Sequence, residues 1–448
     1  MKNKRLVRDT AVIAGSSLVM RYITLTFQVW LASRIGAAGV GLFGLVGSVS
    51  FLAATFAISG IRFATTRLLS EELGHGRAGG IGRAMGLCFV YSQFFGLLAF
   101  AVLYLSAERI GFLWIGDART VLSLRILSFS LPFISASSVF YGYFTANCRI
   151  YKAAIVLVLE QIFRVVSVMI LLSFVPENDL EMSTAAIALG STASEIFSFF
   201  LMLCVFLHDR RKYRSQSQLS PRLPSRILTI ALPLAFSAYA RTSLSTLEQL
   251  LVPRGLREAG LSVNSALAGY GTITGMVLPL ILFPACVITA IAELIVPELT
   301  AAQVSGRKED ISRTVSMLLR RSLLYSLFIS LMFFILADVL SHFIYDSPEV
   351  GRYIRIFAFL VPFLYVDMVT DGCLKGLGQQ MWSMGFNILE ASIGVILVYL
   401  FLPIYALNAY IAILFLLEIL NFCLSIRRLR QITSIKLFDF RRKKVVGP

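Results

Sequence analysis

Charged residues and histidine are scarce in this 448-residue chain, and their scarcity excludes several classes of protein. Only 15% of the residues are charged, whereas soluble proteins have about 25%. The three histidines and six scattered cysteines show no metal-ligand spacing and no Cys-x-x-Cys pair. We therefore expect no metal site, no resident cofactor and no disulfide framework.

Long apolar runs take the place of the missing charge. Hydrophobic residues make up 57% of the chain, and stretches of about 20 of them, each long enough to cross ~30 Å of hydrocarbon, recur throughout. The predicted loops between them are short and leave no room for a soluble domain. The sequence predicts an all-α polytopic membrane protein with about twelve transmembrane helices.

The net charge of +16 is explained by topology. Most of the 41 Lys and Arg residues fall on alternate loops, together with the N-terminus and the basic C-terminal tail. This asymmetry is typical of cytoplasmic loops, so we expect a multi-pass protein of the cell membrane with both termini in the cytoplasm. We expect no nucleic-acid partner, and membrane lipid head groups are a better match for the tail.

An internal repeat divides the chain. The pattern R-I-x-x-F-x-x-P-F begins at Arg125 and again at Arg355, and the same offset carries Gly142 onto Gly372. Six spans in each copy mean that both copies enter the membrane the same way, so the repeats are parallel. We expect a transporter of two six-helix lobes. Pro132 and Pro362 should bend spans 4 and 10 at equivalent points.

The domain boundaries follow from the repeat and from one polar stretch. Residues 1–207 are the predicted N-lobe with spans 1–6, and residues 227–426 the predicted C-lobe with spans 7–12. Residues 208–226 are basic, polar and contain two prolines, so they form a cytoplasmic linker rather than a span. Residues 427–448 form a basic cytoplasmic tail.

Two arginines lie deep inside predicted spans. Arg21 is on span 1 and Arg241 is on span 7. A cation in hydrocarbon is costly, by roughly 3 kcal/mol or more, and it usually faces a polar cavity on a substrate pathway. The same spacing of polar residues follows each arginine, which gives six candidate substrate-binding residues: Arg21, Gln28, Arg34, Arg241, Glu248 and Arg254. For Arg241 the alternative is an ion pair with Glu248 that only fastens helices.

Other intramembrane ionisable groups are candidates for ion coupling or gating. They lie on spans 5, 6, 10 and 11, namely Glu160, Arg164, Glu195, Asp367, Asp371 and Glu390. Because Glu160 and Arg164 are spaced i, i+4, a purely structural ion pair is an equal alternative for them. These groups suggest Na⁺ or H⁺ as a coupling ion, with the membrane potential as the alternative driving force.

Family resemblance enters at the N-terminal part of the chain. The run from Ile35 to Phe43, the Ser59-Gly60-Ile61 sequence and the segment from Thr66 to Glu72, with the arginine in span 1, resemble the stage V sporulation protein B and polysaccharide-flippase branch of the MOP superfamily. That superfamily also contains lipid II flippases and multidrug and toxic compound extrusion transporters. The resemblance implies a V-shaped pair of six-helix lobes with a central cavity and alternating access. It also implies an undecaprenyl-pyrophosphate-linked saccharide as cargo, with Arg21 and Arg241 at the positions that hold the pyrophosphate.

Four functional hypotheses remain. The leading one is a monomeric flippase or exporter of lipid-linked saccharides for cell-wall or surface polysaccharide synthesis, since arginines suit a pyrophosphate. The alternative is a multidrug extrusion antiporter coupled to H⁺ or Na⁺, which needs a cavity carboxylate that span 1 lacks. A membrane enzyme would need a catalytic constellation, and no loop on the outer side offers one beyond His342 with Asp346, so we expect no catalytic residues. A non-transporting scaffold is the fourth.

Overall fold

The computed structural model describes residues 2–74, 81–147, 149–176, 179–210 and 223–433. Within these ranges every regular element is a helix. Most of the predicted linker (211–222) and the end of the predicted tail (434–448) lie outside the described residues.

Fifteen α-helices follow one another in the described ranges. The first half of the chain forms α1 (Lys2–Ile58), α2 (Ile61–Gly74), α3 (Ile81–Arg109), α4 (Thr120–Ser128), α5 (Leu131–Ala146), α6 (Ile150–Ser173) and α7 (Leu180–Arg210). The second half forms α8 (Leu223–Glu258), α9 (Val263–Gly271), α10 (Leu278–Leu282), α11 (Ala285–Val304), α12 (Lys308–Tyr345), α13 (Pro348–Ala358), α14 (Val361–Gly376) and α15 (Gln380–Thr433). Two π-helical segments, Ile110–Ile115 and Thr272–Val277, continue α3 and α9.

The helices confirm a polytopic membrane protein. In the described part of the chain nine of them are long and apolar enough to cross a membrane, or eleven if each of two bent pairs is one span. Two long helices contain a non-helical residue, Gly36 in α1 and Ala406 in α15, so each comprises two helices joined at a break. Helices suit this role because every backbone hydrogen bond is made inside the segment.

The internal repeat is visible in the bends and ion pairs. The α4–α5 pair bends by 43° and the α13–α14 pair by 55°, and each bend precedes a proline at the start of the second helix. Arg125 pairs with Glu108 at 2.7 Å. Arg355 pairs with Asp338, at the equivalent positions of the second copy. The repeat and the two proline bends are therefore confirmed.

The chain forms two compact units. The first comprises Met1–Pro279 and Val395–Leu407, and the second comprises Leu280–Gly394 and Asn408–Pro448. A core of buried side chains from α2, α3, α5, α6, α7 and α8 lies in the first unit. In the second unit the buried Tyr365 hydroxyl of α14 donates to the Ile281 carbonyl at 2.6 Å. The lobe boundaries expected from the sequence stay a prediction.

Candidate functional site

Arg21 lies on the face of α1 that packs against α6 and α7. One turn further along that face the Thr24 hydroxyl accepts a hydrogen bond from Gln161 of α6 at 3.3 Å. Phe27 and Leu31 continue the face into an apolar cluster with residues of α6 and α7. The Arg21 side chain is half-buried, and no hydrogen bond or ion pair joins it to the described residues. These contacts hold α1 against α6 and α7, while the Arg21 guanidinium is available to bind a ligand.

A three-member ion cluster joins α6 to α7. Arg164 Nη2 donates to Glu160 Oε1 at 2.7 Å and to Glu195 Oε1 at 2.9 Å. Arg164 Nε donates to the Ser194 hydroxyl at 3.1 Å. The ion pair that the i, i+4 spacing allowed is therefore present, and Glu195 joins it from a different helix. Because two carboxylates bond to its guanidinium, Arg164 already has anionic partners within the protein.

Arg241 has no such partner. Its side chain is exposed on α8, and among the described residues none bonds to its guanidinium. Glu248 lies seven residues along the same face, roughly 10 Å away at ~1.5 Å per residue, so the expected alternative ion pair does not form. Arg21 and Arg241 therefore share one property: each presents a cation inside a span without a described protein anion.

The remaining candidate binding residues differ in setting. Arg254 forms an i, i+4 ion pair with Glu258 at 3.2 Å, and both side chains are about half exposed, at 58% and 49%. Gln28 and Arg34 are half-buried on α1. Among the described contacts, no hydrogen bond joins Gln28 or Arg254 to Arg21. Their role in binding stays a prediction.

The second unit contains its own acidic cluster. Asp371 bonds to Lys375 Nζ at 2.5 Å and accepts a hydrogen bond from Ser383. The buried Asp367 accepts from Asn421 Nδ2 at 3.3 Å, and its other oxygen has no hydrogen-bond partner in the described part of the chain.

An acidic residue of the next helix, α15, extends this cluster. Glu418 lies near enough to Asp367 and Glu390 for their charges to interact. Nevertheless, no three His, Cys, Asp or Glu side chains in the described ranges are arranged to hold a metal ion.

Polar contacts at the helix ends escaped the sequence reasoning. In the turn after α3, Arg119 donates to Asp117 at 2.6 Å and to Asn264 at 3.2 Å. The hydrogen bond to Asp117 raises the pKa of Arg119, so this guanidinium stays charged at any working pH. The bond from Arg119 to Asn264 joins residues far apart in sequence, so only the fold reveals it.

A buried carboxylate near the start of the linker was also missed. Asp209, at the end of α7, is 1% exposed and accepts from Lys152 Nζ at 2.7 Å. Arg149 and the Tyr143 hydroxyl also bond to it. The cluster fastens the last helix of the first repeat to the turn that follows α5. Its signal in the sequence was weak because Asp209 adjoins a run of basic residues.

Comparison with known families and structures identifies the class. The family model described as polysaccharide biosynthesis protein matches residues 6–285, and one described as MatE matches residues 259–400. A solved inward-facing multidrug resistance MATE family transporter of the MOP superfamily has a TM-score of 0.68 at 15% identity, covering 93% of this chain and 96% of that one. Lipid II flippase MurJ in an inward closed conformation has a TM-score of 0.72 at 13% identity, covering 94% and 87%. The chain thus has the fold of MOP-superfamily transporters.

Because the first family model spans more than half of the chain, the chain belongs to the polysaccharide biosynthesis protein family. It is 23% identical over 399 residues to stage V sporulation protein B of Bacillus subtilis (strain 168), covering 88% of this chain and 76% of the relative. It is 20% identical over 422 residues to lipid II flippase MurJ of the same organism, again covering 88% and 76%. The resemblance noted from the sequence is confirmed.

Proposed function

We propose that this protein is an alternating-access flippase that moves undecaprenyl-pyrophosphate-linked saccharides across the cell membrane for cell-wall or surface polysaccharide synthesis. Its relatives include a lipid II flippase and a sporulation protein. The family description, polysaccharide biosynthesis protein, agrees with cargo of this class.

The observation that carries the proposal is a pair of arginines that have no anionic partner among the described residues. Arg21 and Arg241 lie within membrane spans and bond to no described protein anion, whereas Arg164, also within a span, bonds to two. A guanidinium binds phosphate oxygens in a bidentate manner and keeps its charge when partly buried. A pyrophosphate headgroup would supply the anion that both arginines lack.

The topology of the proposal follows the charge distribution. The basic loops and both termini face the cytoplasm, so cargo enters from that side. The protein works as a monomer surrounded by membrane lipids and has no catalytic activity. No cofactor takes part, and Na⁺ or H⁺ bound by the intramembrane carboxylates drives the cycle.

A drug-exporting antiporter is the second candidate. The MatE match to residues 259–400 and the MATE transporters among the structural neighbours favour it. Organic cations need an anionic cavity, but the first span (residues 10–33) carries Arg21 and no Asp or Glu. This charge favours the flippase.

Ligand-dependent thermal stabilisation of the purified protein separates the two candidates. We expect an undecaprenyl-pyrophosphate-linked glycan to raise the unfolding temperature, and ethidium, a lipophilic cation, to have no effect. Arg21→Ala and Arg241→Ala should each weaken glycan binding at least about tenfold, because a charge-assisted contact worth about 1.5–3 kcal/mol is lost.

Arg352→Ala is the matched control, since Arg352 is exposed on α13 and has no place in the proposed site. It should bind the glycan like the parent protein. Stabilisation by ethidium alone would assign the chain to the antiporters. Undiminished glycan binding in the Arg21→Ala/Arg241→Ala double variant would remove the arginine site.

A further inference from the structure

Within the first unit, helix α8 runs antiparallel to the second half of α1 and then to α2. Its contacts with these two helices form one continuous line. In its middle, the Thr246 hydroxyl donates to the Ser48 carbonyl at 3.2 Å. Towards the linker, the rings of Tyr239 and Phe56 stack with centroids 4.2 Å apart. The first helix after the linker is therefore fastened to span 2 and to the helix that follows it.

The line crosses a helix break at Ser59 and Gly60. Ser59 is fully buried and has φ of +44°, a left-handed conformation that is uncommon for a residue other than glycine. Its hydroxyl accepts a hydrogen bond from Tyr239 at 2.7 Å and lies 3.1 Å from the Tyr91 hydroxyl. Gly60 has φ of +70°, and a Cβ there would lie 2.4 Å from the Ala231 carbonyl oxygen. Contacts from α3 and α8 thus hold a strained joint.

An ion pair ends the line on the linker side. Arg226, near the start of α8, bonds to Glu71 of α2, which also accepts from Arg67 at 3.3 Å. The Arg226 and Glu71 side chains are 42% and 28% exposed. Because water reaches both groups, they can separate and be hydrated at little cost.

The opposite end of the same helices is joined by different contacts. A Cβ on Gly41 of α1 would lie 2.2 Å from the Leu267 carbonyl oxygen of α9, so the two backbones meet without room for a side chain. Arg257 of α8 also donates to the Gly116 and Ile115 carbonyls at 3.0 and 3.2 Å. This end relies on close backbone packing and on two partly buried hydrogen bonds to backbone carbonyls, and these are costlier to separate than a half-exposed ion pair.

We propose that Glu71, Arg226, Ser59 and Tyr239 form a latch that closes the linker side of the first unit, and that it opens when cargo enters. Once the hydrogen bond from Tyr239 to Ser59 breaks, α2 moves away from α8 by bending at the strained joint of Ser59 and Gly60. The latch rests on the proposed alternating-access function, but its test needs no cargo. A failure of the latch is therefore distinguishable from a failure of the flippase assignment.

The test measures access to α8 from the linker side. A cysteine is introduced by Ser237→Cys, one turn before Arg241, in a variant without the six native cysteines. Its reaction with a membrane-impermeant maleimide is timed in inverted vesicles. Arg226→Glu should speed labelling about fivefold, the size expected for losing a half-exposed ion pair. The double exchange Glu71→Arg/Arg226→Glu should restore the slow rate.

The hydroxyl contact has a matched pair of variants. Tyr239→Phe keeps the ring on Phe56 but removes the hydrogen bond to Ser59, and it should speed labelling about threefold. Tyr325→Phe is the control: it removes a tyrosine hydroxyl that donates to the Pro284 carbonyl in the second unit, away from the joint, and should leave the rate unchanged. Equal rates for Arg226→Glu and the parent, or no recovery in the double exchange, would overturn the latch.

If the charge variants fail to fold, a distance measurement still tests the proposal, because the four latch residues are unchanged in the labelled protein. Spin labels are placed at Phe63 of α2 and Leu228 of α8, two exposed positions on the helices that the ion pair joins. In lipid bilayers the latch requires two populations, one short and one longer distance. One fixed distance under all conditions would show that α2 and α8 do not separate.

Discussion

Arg164→Met is the most informative single substitution for the packing of α6 against α7. The change keeps a long side chain but removes the only cation that bonds to Glu160 and Glu195 in the described structure. Two carboxylates then face each other inside the membrane-spanning region without a compensating charge. Two neighbouring negative charges that are mostly shielded from bulk water repel each other strongly.

The structure sets the size of the effect. Breaking a buried ion pair by removing one partner costs about 3–5 kcal/mol. The Arg164, Glu160 and Glu195 side chains are 28%, 11% and 23% exposed, so partial hydration lowers the expected cost to about 2–4 kcal/mol. Glu195→Gln leaves Arg164 and Glu160 as a balanced one-to-one pair, and it should cost no more than about 1 kcal/mol.

The assay is thermal unfolding of the purified variants in one detergent, followed by intrinsic fluorescence. We expect Arg164→Met to unfold at a clearly lower temperature than Glu195→Gln. The triple variant Arg164→Met/Glu160→Gln/Glu195→Gln should recover most of the loss, because neutral replacements of a buried ionic cluster are often tolerated. If Arg164→Met and Glu195→Gln unfold at the same temperature, the reasoning from charge balance is wrong.

Two further predictions concern stability. Asp209→Asn should lower the free energy of unfolding by about 2–3 kcal/mol, since it leaves two basic side chains beside a buried neutral group; an unchanged unfolding temperature would contradict this. Gly41→Ala should cost at least about 1–3 kcal/mol because its Cβ would overlap the Leu267 carbonyl. Gly47→Ala on the same helix is its control, because nothing lies within 4 Å of the added Cβ. Equal unfolding temperatures for the two alanine variants would mean that the close approach is relaxed at no cost.

The sequence was sufficient for the fold because the strongest signals are periodic. Apolar runs predict the spans, and the motif beginning at Arg125 and Arg355 predicts the repeat. The structure adds that both arginines bond to an acid at the equivalent position of their own copy, Glu108 and Asp338. Neither acid stood out in the sequence, because a conservative Glu/Asp exchange hides the equivalence.

The candidate site was predictable only within single helices. The spacing of Glu160 and Arg164 allowed an ion pair, but nothing in it showed that Glu195 would join from α7, since that depends on how two helices pack. The link between Ser59 and Tyr239 was missed for the same reason. The chain has 16 tyrosines, and no local pattern marks the one that reaches a strained joint.

Flipping of a lipid-linked saccharide by the reconstituted protein tests the central claim most directly. Proteoliposomes receive a fluorescent undecaprenyl-pyrophosphate-linked saccharide, and its arrival in the opposite leaflet is timed. We expect the parent protein and Arg352→Ala to move it at the same rate, and Arg21→Ala/Arg241→Ala to be inactive while remaining folded. Full activity of the double variant would contradict the arginine site, and no translocation by the parent protein would contradict the proposed cargo.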